Sequence, residues 1–319
     1  MRHHIEKTND FVKNNGIERL ISIAETTIEA QYENLLKMLA EKIGDSEDFF
    51  GVIFVAGPSS SGKTTFSNVL AEKISGLKIH TNVLSLDDFY FDTDIILKRE
   101  KKLGVVPKTA EAGDYETIEA FDVTFFRSLV KSFSAGEAVR LPRFDFTLGK
   151  RLLSDRIIKR TGRDFLIIEG IQAMNPKLTR GLRADFVYRI YICPYNEYAE
   201  GEHLLTQQMI RLMRRSNRDF HKRGSDLKRT LDMWESVLAG EEKYIKPMLK
   251  YADYYFNSSY SYEPLYLSGE LLKMAESLED NDKKMLARYL DIEAVRLYNN
   301  YKELKLPKDS IFNEFYFED

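Results

Sequence analysis

The sequence predicts an α/β fold: a mainly parallel sheet covered by helices on both faces, with helical extensions at the N- and C-terminal ends. Three observations carry that expectation. Short apolar runs suited to buried strands recur at GVIFVAGP (51–58), NVLSLDDFY (82–90), FLIIEGI (165–171) and YRIYICP (188–194). Segments of helical periodicity separate or follow them, at 63–75, 94–103, 119–134 and 197–223. The first of these strands runs directly into a glycine turn. Strands alternating with helices build parallel sheets buried on both faces, and ligands bind beyond the strands' carboxyl ends.

Upstream of the first strand, Ile17, Leu20, Ile21, Ala24, Ile28, Leu35, Leu39 and Ile43 recur at helical spacing. They predict one long amphipathic helix over 17–43, ended by Gly44-Asp45-Ser46 and packed on the core. His3-His4 reads as a solvated terminus rather than a metal site. From 268 the chain is charged and helical until Pro307, and the closing DSIFNEFYFED is expected to pack back on the core through its aromatics. The expected organisation is an N-terminal helical extension over 1–48, a core over 49–265 with a lid around 205–225, and a C-terminal helical extension over 266–319.

Composition removes several classes of function. With 43% hydrophobic and 30% charged residues among 319, the chain is globular. A formal net charge of −3 gives no global attraction to nucleic acid or anionic membranes. One cysteine, Cys193, excludes a disulfide framework and favours a reducing cytoplasm. The five histidines lack zinc-ligand spacing, and no run is long enough to span a membrane.

The glycine turn is specific. Gly57-Pro58-Ser59-Ser60-Ser61-Gly62-Lys63-Thr64 matches G-x-x-x-x-G-K-[ST] in full, after a strand and before a helix. Its glycines let backbone N–H groups turn inward around phosphate oxygens, and the helix N-terminus adds partial positive charge. This makes the expected fold that of a P-loop NTPase. Gly57, Ser59, Ser60, Ser61, Gly62, Lys63, Thr64 and Thr65 are the expected ATP-binding residues, with Lys63 reaching the β- and γ-phosphates and Thr64 offering its hydroxyl to Mg²⁺.

Such a loop specifies a nucleotide, not a reaction. No Asn-Lys-x-Asp is present to read guanine. The string nearest a transporter signature, Leu267-Ser268-Gly269-Glu270, lacks its second glycine and reads as a loop or helix start. A small-molecule kinase needs an acid near the γ-phosphate, a second acid for the metal and a basic lid. Asp87 and Asp88 end the second predicted strand, and Glu169 follows four apolar residues in the third. A carboxylate at a buried strand end is costly unless it meets a metal or cation. The segment MIRLMRRSNRDFHKRG (209–224) carries Arg211, Arg214, Arg215, Arg218 and Arg223, and guanidinium suits bidentate phosphate contacts.

Together these elements resemble the uridine kinase and phosphoribulokinase family of P-loop kinases. The matching motifs are GPSSSGKTT, LSLDDFY, DYETIEAFD (114–122), LPRFDFTLGKR (141–151), IIEGI and RLMRRSNRDFHKRG, in the family order. A closer likeness is to a bacterial nucleoside kinase branch. It rests on PRFDF with Gly-Lys-Arg, on Trp234-Glu235-Ser236-Val237 leading to Gly240-Glu241, and on Ala252-Asp253 with Phe256-Asn257-Ser258. That branch is often fused behind a TGS domain, for which no room is expected here. The resemblance implies roles. Asp87 would take the proton of the acceptor hydroxyl and join Thr64 and Glu169 at Mg²⁺. Arg215 and Arg218 would face the phosphates with Lys63. Glu116, with Asp114 before it, would hold sugar hydroxyls, and Tyr90, Arg143, Phe144 and Asp145 would line the acceptor side.

The departures are as informative. Uridine kinases place a tyrosine at Phe144, a base-reading histidine at Gly149, and arginine and glutamine near Ser225 and Met233. Uridine is therefore not implied. The expectation is an ATP- and Mg²⁺-dependent kinase acting on a hydroxyl of a small acceptor, a nucleoside first. Another sugar or polyol acceptor, or a non-catalytic nucleotide-gated protein acting on RNA or protein, stays as the alternative. The expected partner is the small acceptor, not a membrane and not nucleic acid, and a homo-oligomer stays open.

Overall fold

A computed structural model describes residues 4–43, 46–102, 114–182, 184–300, 310 and 315. Strand β1 (His4–Glu6) and helix α1 (Thr8–Asn15) precede the long helix α2 (Ile17–Ile43). Strand β2 (Phe49–Ala56) leads through the glycine turn into α3 (Lys63–Ser75). Strand β3 (His80–Ser85) passes through a 3₁₀ turn, Leu86–Phe89, to α4 (Thr93–Lys102). Another 3₁₀ turn, Ile118–Ala120, precedes α5 (Val123–Ser134), and β4 (Val139–Asp145) and β5 (Lys150–Ile158) form an antiparallel hairpin. Next come β6 (Arg163–Glu169), the short α6 (Pro176–Thr179) and β7 (Phe186–Cys193). Short strands β8 (Asn196–Glu200) and β9 (His203–Leu205) lead into α7 (Gln207–Arg223) and α8 (Leu227–Gly240). After two more helical turns, β10 (Tyr254–Asn257) is followed by α9 (Glu263–Glu276), α10 (Asp280–Leu286) and α11 (Ile292–Tyr298).

The central sheet runs β10-β7-β2-β6-β3, with every pairing parallel. Strand β2 shows why both its faces are covered. Phe49, Ile53 and Val55 enter one apolar cluster, with side chains of α2, α3 and α7 to α11. Phe50, Val52, Phe54 and Ala56 enter a second, with α4, α5 and the hairpin. This is the period-two alternation of a strand, with apolar residues at both phases. Along α2, Leu20, Ala24, Ile28, Tyr32, Leu35, Leu39 and Ile43 are buried. Tyr32 stacks on Phe66 of α3, with ring centroids 5.4 Å apart. At roughly 2 kcal/mol for each large apolar side chain buried, this stripe holds α2 to the core.

Several predicted elements change. The run 82–90 is strand only through Ser85. Ser85 Oγ accepts from the Asp87 N–H at 3.4 Å, and this local bond turns the two acids off the ladder into the 3₁₀ turn. The helix expected over 119–134 begins at Val123, where Asp122 Oδ1 caps it by accepting from Phe125 N at 3.0 Å. The helix expected over 197–223 begins at Gln207, capped by Thr206. Residues 196–205 instead form β8 and β9 around Gly201, whose φ of +60° lets the chain reverse tightly. His4 opens β1, which pairs parallel with β8, so its backbone belongs to a sheet rather than a free tail. Leu267-Ser268-Gly269-Glu270 lies inside α9, with Leu267 and Ser268 buried. The run 252–258, read only as a motif, contains edge strand β10. Gly44, Asp45 and Pro307 lie outside the described residues. In the closing segment Ser310 and Phe315 are described, and both are buried.

Candidate active site

Three adjacent strands, β2, β6 and β3, end side by side at one edge of the sheet. Val55 and Ser85 both pair with Glu169, so the phosphate loop, Glu169 and the Asp87 turn leave the sheet at the same level. Gly170 tightens this arrangement. A Cβ there would come within 2.7 Å of Leu86 Cβ, so the chain after Glu169 passes directly against the turn that carries Asp87.

The loop itself is shaped by close approach. A Cβ on Gly57 would lie 2.2 Å from the Ile192 carbonyl oxygen, and Gly62 adopts φ +87° at the start of α3. Lys63 Nζ donates to the carbonyls of Gly57 and Pro58, each at 3.0 Å, so its ammonium folds back over the loop. Ser60 Oγ and Ser61 Oγ are buried with no hydrogen-bond partner among the described residues. Orphaned buried hydroxyls carry a desolvation cost that an incoming phosphate oxygen would remove. Thr65 follows Thr64 in the first turn of α3.

The basic helix is more embedded than a solvent-facing lid. Arg214 is 1% exposed. Its Nε donates to Glu263 Oε2 at 2.6 Å and its Nη2 to the Ser258 carbonyl at 2.7 Å, while its guanidinium lies 4.9 Å from the Phe315 ring centroid. Arg211 pairs with Glu241 at 2.6 Å beside the Trp234 ring. Arg215 Nη1 donates to Ser59 Oγ of the phosphate loop at 2.7 Å. Asp219 gathers Arg215, Arg218 and Arg223 at 3.2, 2.9 and 3.3 Å. Burial pulls the Arg215 pKa down to about 10, and Arg218 and Arg223 add to the effect while Asp219 opposes it. Arg215 is thus cationic at neutral pH and already touches the loop, with Arg218 beside it. Arg211, placed by periodicity on the same face, serves a buried pair instead.

Thr64 Oγ1 donates to Glu169 Oε1 at 3.2 Å. Burial and the neighbouring Asp87 charge push the Glu169 carboxyl up to about 7, against Lys63, Ser85 and Thr64. Burial also raises Asp87, opposed first by Lys63. Two carboxylates and a hydroxyl in a buried, acid-stressed corner are the hard oxygen donors that Mg²⁺ prefers. Among the described residues no group of three His, Cys, Asp or Glu could hold a metal alone. Phosphate oxygens and water would have to complete the shell.

Across the cleft the surface turns aromatic. Tyr90 is buried, and its hydroxyl donates to the Tyr115 carbonyl at 2.7 Å and stands beside the Asp87 carboxylate. Tyr115, Phe144 and Phe146 pack around it, with centroid distances of 4.9, 5.5 and 6.2 Å to the Tyr90 ring. Phe144 is buried beneath, whereas Phe146 is 62% exposed. The hairpin that presents them is pinned by Asp88, whose Oδ1 accepts from Phe144 N at 3.0 Å. Arg143 is exposed on β4; burial raises the Asp88 carboxyl, and the Phe144 N–H and the Arg143 charge oppose that rise. Asp145 Oδ1 accepts from Thr147 N at 2.9 Å and Leu148 N at 3.0 Å, so one of its oxygens shapes the turn. Asp114 is buried; its Oδ1 accepts from Glu116 N at 3.1 Å and its Oδ2 from the Tyr244 hydroxyl at 3.4 Å. The Glu116 carboxylate lies where its charge acts on both Tyr90 and Arg215.

Gly149 has its own reason to be glycine. Its φ is +62°, and a Cβ would stand 2.3 Å from Thr93 Oγ1. That hydroxyl is hydrogen-bonded to the Tyr115 hydroxyl at 2.6 Å and to the Gly149 carbonyl at 3.1 Å. A side chain here would have to displace the Thr93–Tyr115 contact. Sequence reasoning did not single out Tyr115, Phe146, Thr93 or Asp219. For Phe146 the signal was present, as the second aromatic of an alternating Phe-Asp-Phe.

Residues 52–261 match the Phosphoribulokinase / Uridine kinase family. The chain belongs to this family. A uridine kinase of Staphylococcus aureus is 28% identical over 203 residues, which cover 63% of this chain and 84% of that protein. Among solved structures, a possible uridine kinase from Bacillus stearothermophilus overlaps 72% of this chain and 100% of its own, at 18% identity and a TM-score of 0.42. The phosphoribulokinase from Rhodobacter spheroides overlaps 64% and 68%, at 16% identity and a TM-score of 0.40. As a member of the family this chain is a P-loop kinase, an ATP-dependent phosphotransferase. No described helix is long and apolar enough to cross a membrane.

Proposed function

We propose that this kinase transfers the γ-phosphate of ATP to a hydroxyl of a nucleoside, with the base held by aromatic stacking rather than by hydrogen-bond readout. One observation carries the acceptor: the exposed ring of Phe146 rests on the rings of Tyr90, Tyr115 and Phe144, and the Tyr90 hydroxyl stands beside Asp87. Aromatic rings offer a flat apolar surface to any base, worth about 1–3 kcal/mol per stacked base.

In this reading Lys63, the loop amides, Arg215 and Arg218 hold and neutralise the phosphates. Thr64, Glu169 and Asp87 would hold Mg²⁺, which when bound supplies charge neutralisation at the phosphates. Glu116 accepts from sugar hydroxyls, and Asp87 takes the proton of the attacking hydroxyl. The acceptor oxygen–phosphorus bond forms as the bond to the β-phosphate bridging oxygen breaks, and ADP leaves. Positioning and charge stabilisation account for most of the acceleration in such transfers. Because Gly149 excludes a side chain, discrimination between bases is expected to be weak.

ADP release measured across nucleosides, sugars, sugar phosphates and polyols tests this. Nucleosides should lead, with purine and pyrimidine acceptors within about tenfold of each other on the stacking argument. Turnover of a sugar phosphate or polyol above every nucleoside would replace the acceptor and leave the kinase. Acceptor-independent behaviour throughout would favour a nucleotide-gated binding protein.

A further inference from the structure

The segment from Trp234 to Glu241 takes no direct part in the chemistry above, yet it touches both sides of the cleft. It occupies the second half of α8 and the residue that follows it. Trp234 is 1% exposed and lies under the Arg211 guanidinium, which pairs with Glu241 at 2.6 Å. Arg211 stands one helical turn before Arg215 on α7. The pair therefore fixes the helix that delivers Arg215 to Ser59 of the phosphate loop.

Gly240, one residue earlier, meets the other side. A Cβ built there would lie 1.3 Å from Glu116 Oε2 and 2.5 Å from Glu116 Cδ. The carboxylate of Glu116 thus occupies the space that any side chain at 240 would need. Gly240 has an ordinary right-handed helical conformation, with φ −62° and ψ −41°. Glycine is unfavourable in a helix by about 1 kcal/mol relative to alanine, and no backbone requirement offsets that here. Steric room for Glu116 is the requirement the geometry supplies. The far end of the same acidic segment is held independently: Gln172 Nε2 donates to the Glu116 carbonyl at 2.6 Å, and Asp114 Oδ1 accepts from its N–H. With its backbone tied at both ends, Glu116 cannot retreat from a new side chain by moving its chain, so the carboxylate itself would have to swing.

We infer that Gly240 is a positioning residue for acceptor binding: it seats the Glu116 carboxylate, and the adjoining Glu241–Arg211 pair locks the phosphate-side helix in the same register. This rests on the reading of Glu116 as the group that holds the acceptor sugar. The end of α8 then acts as a spacer between the acceptor acid and the phosphate-binding arginines.

Gly240→Ala, Glu116→Ala and the double variant test it, with uridine and adenosine as probes and ATP affinity followed in parallel. Gly240→Ala should raise the acceptor KM about tenfold or more, leave the ATP KM within about twofold, and lower kcat little, since the change is to ground-state positioning. In the Glu116→Ala background the same substitution should have no further effect on acceptor KM, because the group it displaces is gone. Thermal unfolding of the four proteins gives a second readout that needs no acceptor. Gly240→Ala should lower Tm in the parent and raise or leave it unchanged beside Glu116→Ala, as expected for a good helix former freed from the clash. An equal rise in ATP and acceptor KM, or a full effect of Gly240→Ala without Glu116, would overturn the positioning role and leave the kinase reading intact. If the parent turns over neither probe nor any other nucleoside, the nucleoside reading fails and the acceptor role of Gly240 with it. In that case the unfolding data still decide whether the Gly240–Glu116 contact exists.

Discussion

On the phosphate side of the cleft, nearly every polar group is already tied to another part of the chain: Lys63 to two loop carbonyls, Arg215 to Ser59, Arg214 to Glu263 and Ser258, Thr64 to Glu169. On the acceptor side Phe146 presents an exposed ring, and the half-buried Glu116 has its Oε2 positioned by shape against a glycine. The first half is preorganised for charge, which is where phosphoryl transfer needs its stabilisation. In the proposed function the second half receives a flat apolar face. The two sides are held differently: charge placement is fixed by a dense network, whereas Phe144 and Phe146 are carried by one hairpin.

The sharpest way to break this contrast is at the atom where the two halves meet. Asp87→Asn should lower kcat by about 10³-fold with an unchanged fold by circular dichroism, the range expected for losing a general base. Turnover that survives the change would remove Asp87 from the base role.

The phosphate side should also trade stability for function. Burial and the Asp87 charge push the Glu169 carboxyl up to about 7, above its ordinary value of 4.5. The folded state therefore holds a proton that the unfolded chain releases, and stability falls as pH rises from about 4.5 through 7. Above that window the carboxylate costs roughly 3 kcal/mol. Glu169→Gln should thus raise Tm by several degrees at pH 8, change it little at pH 4.5, and lower kcat at least 100-fold. A Tm gain that does not depend on pH would show that the buried charge is not the cause.

On the acceptor side, Gly149→His should destabilise the protein by about 2 kcal/mol, through positive φ and collision with Thr93. It should not create selectivity for uridine. A stable Gly149→His protein that prefers uridine would mean the hairpin can move as a unit. The smallest effect is expected at the rim. Phe146→Ala should raise nucleoside KM about tenfold by loss of one stacking face, with ATP KM unchanged.

The halves also differ in how far the sequence reveals them. The phosphate loop, Glu169 and the arginine run are contiguous patterns whose chemistry is set by neighbours in the chain, so spacing alone located them. The turn at Asp87 was misjudged as strand because Ser85 captures the backbone locally, a competition that apolar periodicity does not register. Residues 197–205 carry helical spacing by composition, but Gly201 and the pairing with β1, nearly 200 residues away, decide for strands. The Gly240–Glu116 seat is a contact across the fold that no pattern along the chain encodes, whereas the convergence of Arg215, Arg218 and Arg223 on Asp219 is local to one helix and its four-residue spacing was open to reading.

One structural detail bears on how the protein is made. Arg214 braces the phosphate loop through the Ser60 carbonyl, but it is itself held by Ser258 and its charge is balanced by Glu263, 49 positions further along. Helix α1 is likewise fastened by Thr8 to the carbonyl of Ser261, 253 positions away. A growing chain that has just released its glycine loop from the ribosome holds an unbraced anion site. The loop gains its backing only after β10 has joined the sheet and the start of α9 has emerged. Competence to grip a nucleotide should therefore arrive late and abruptly during synthesis.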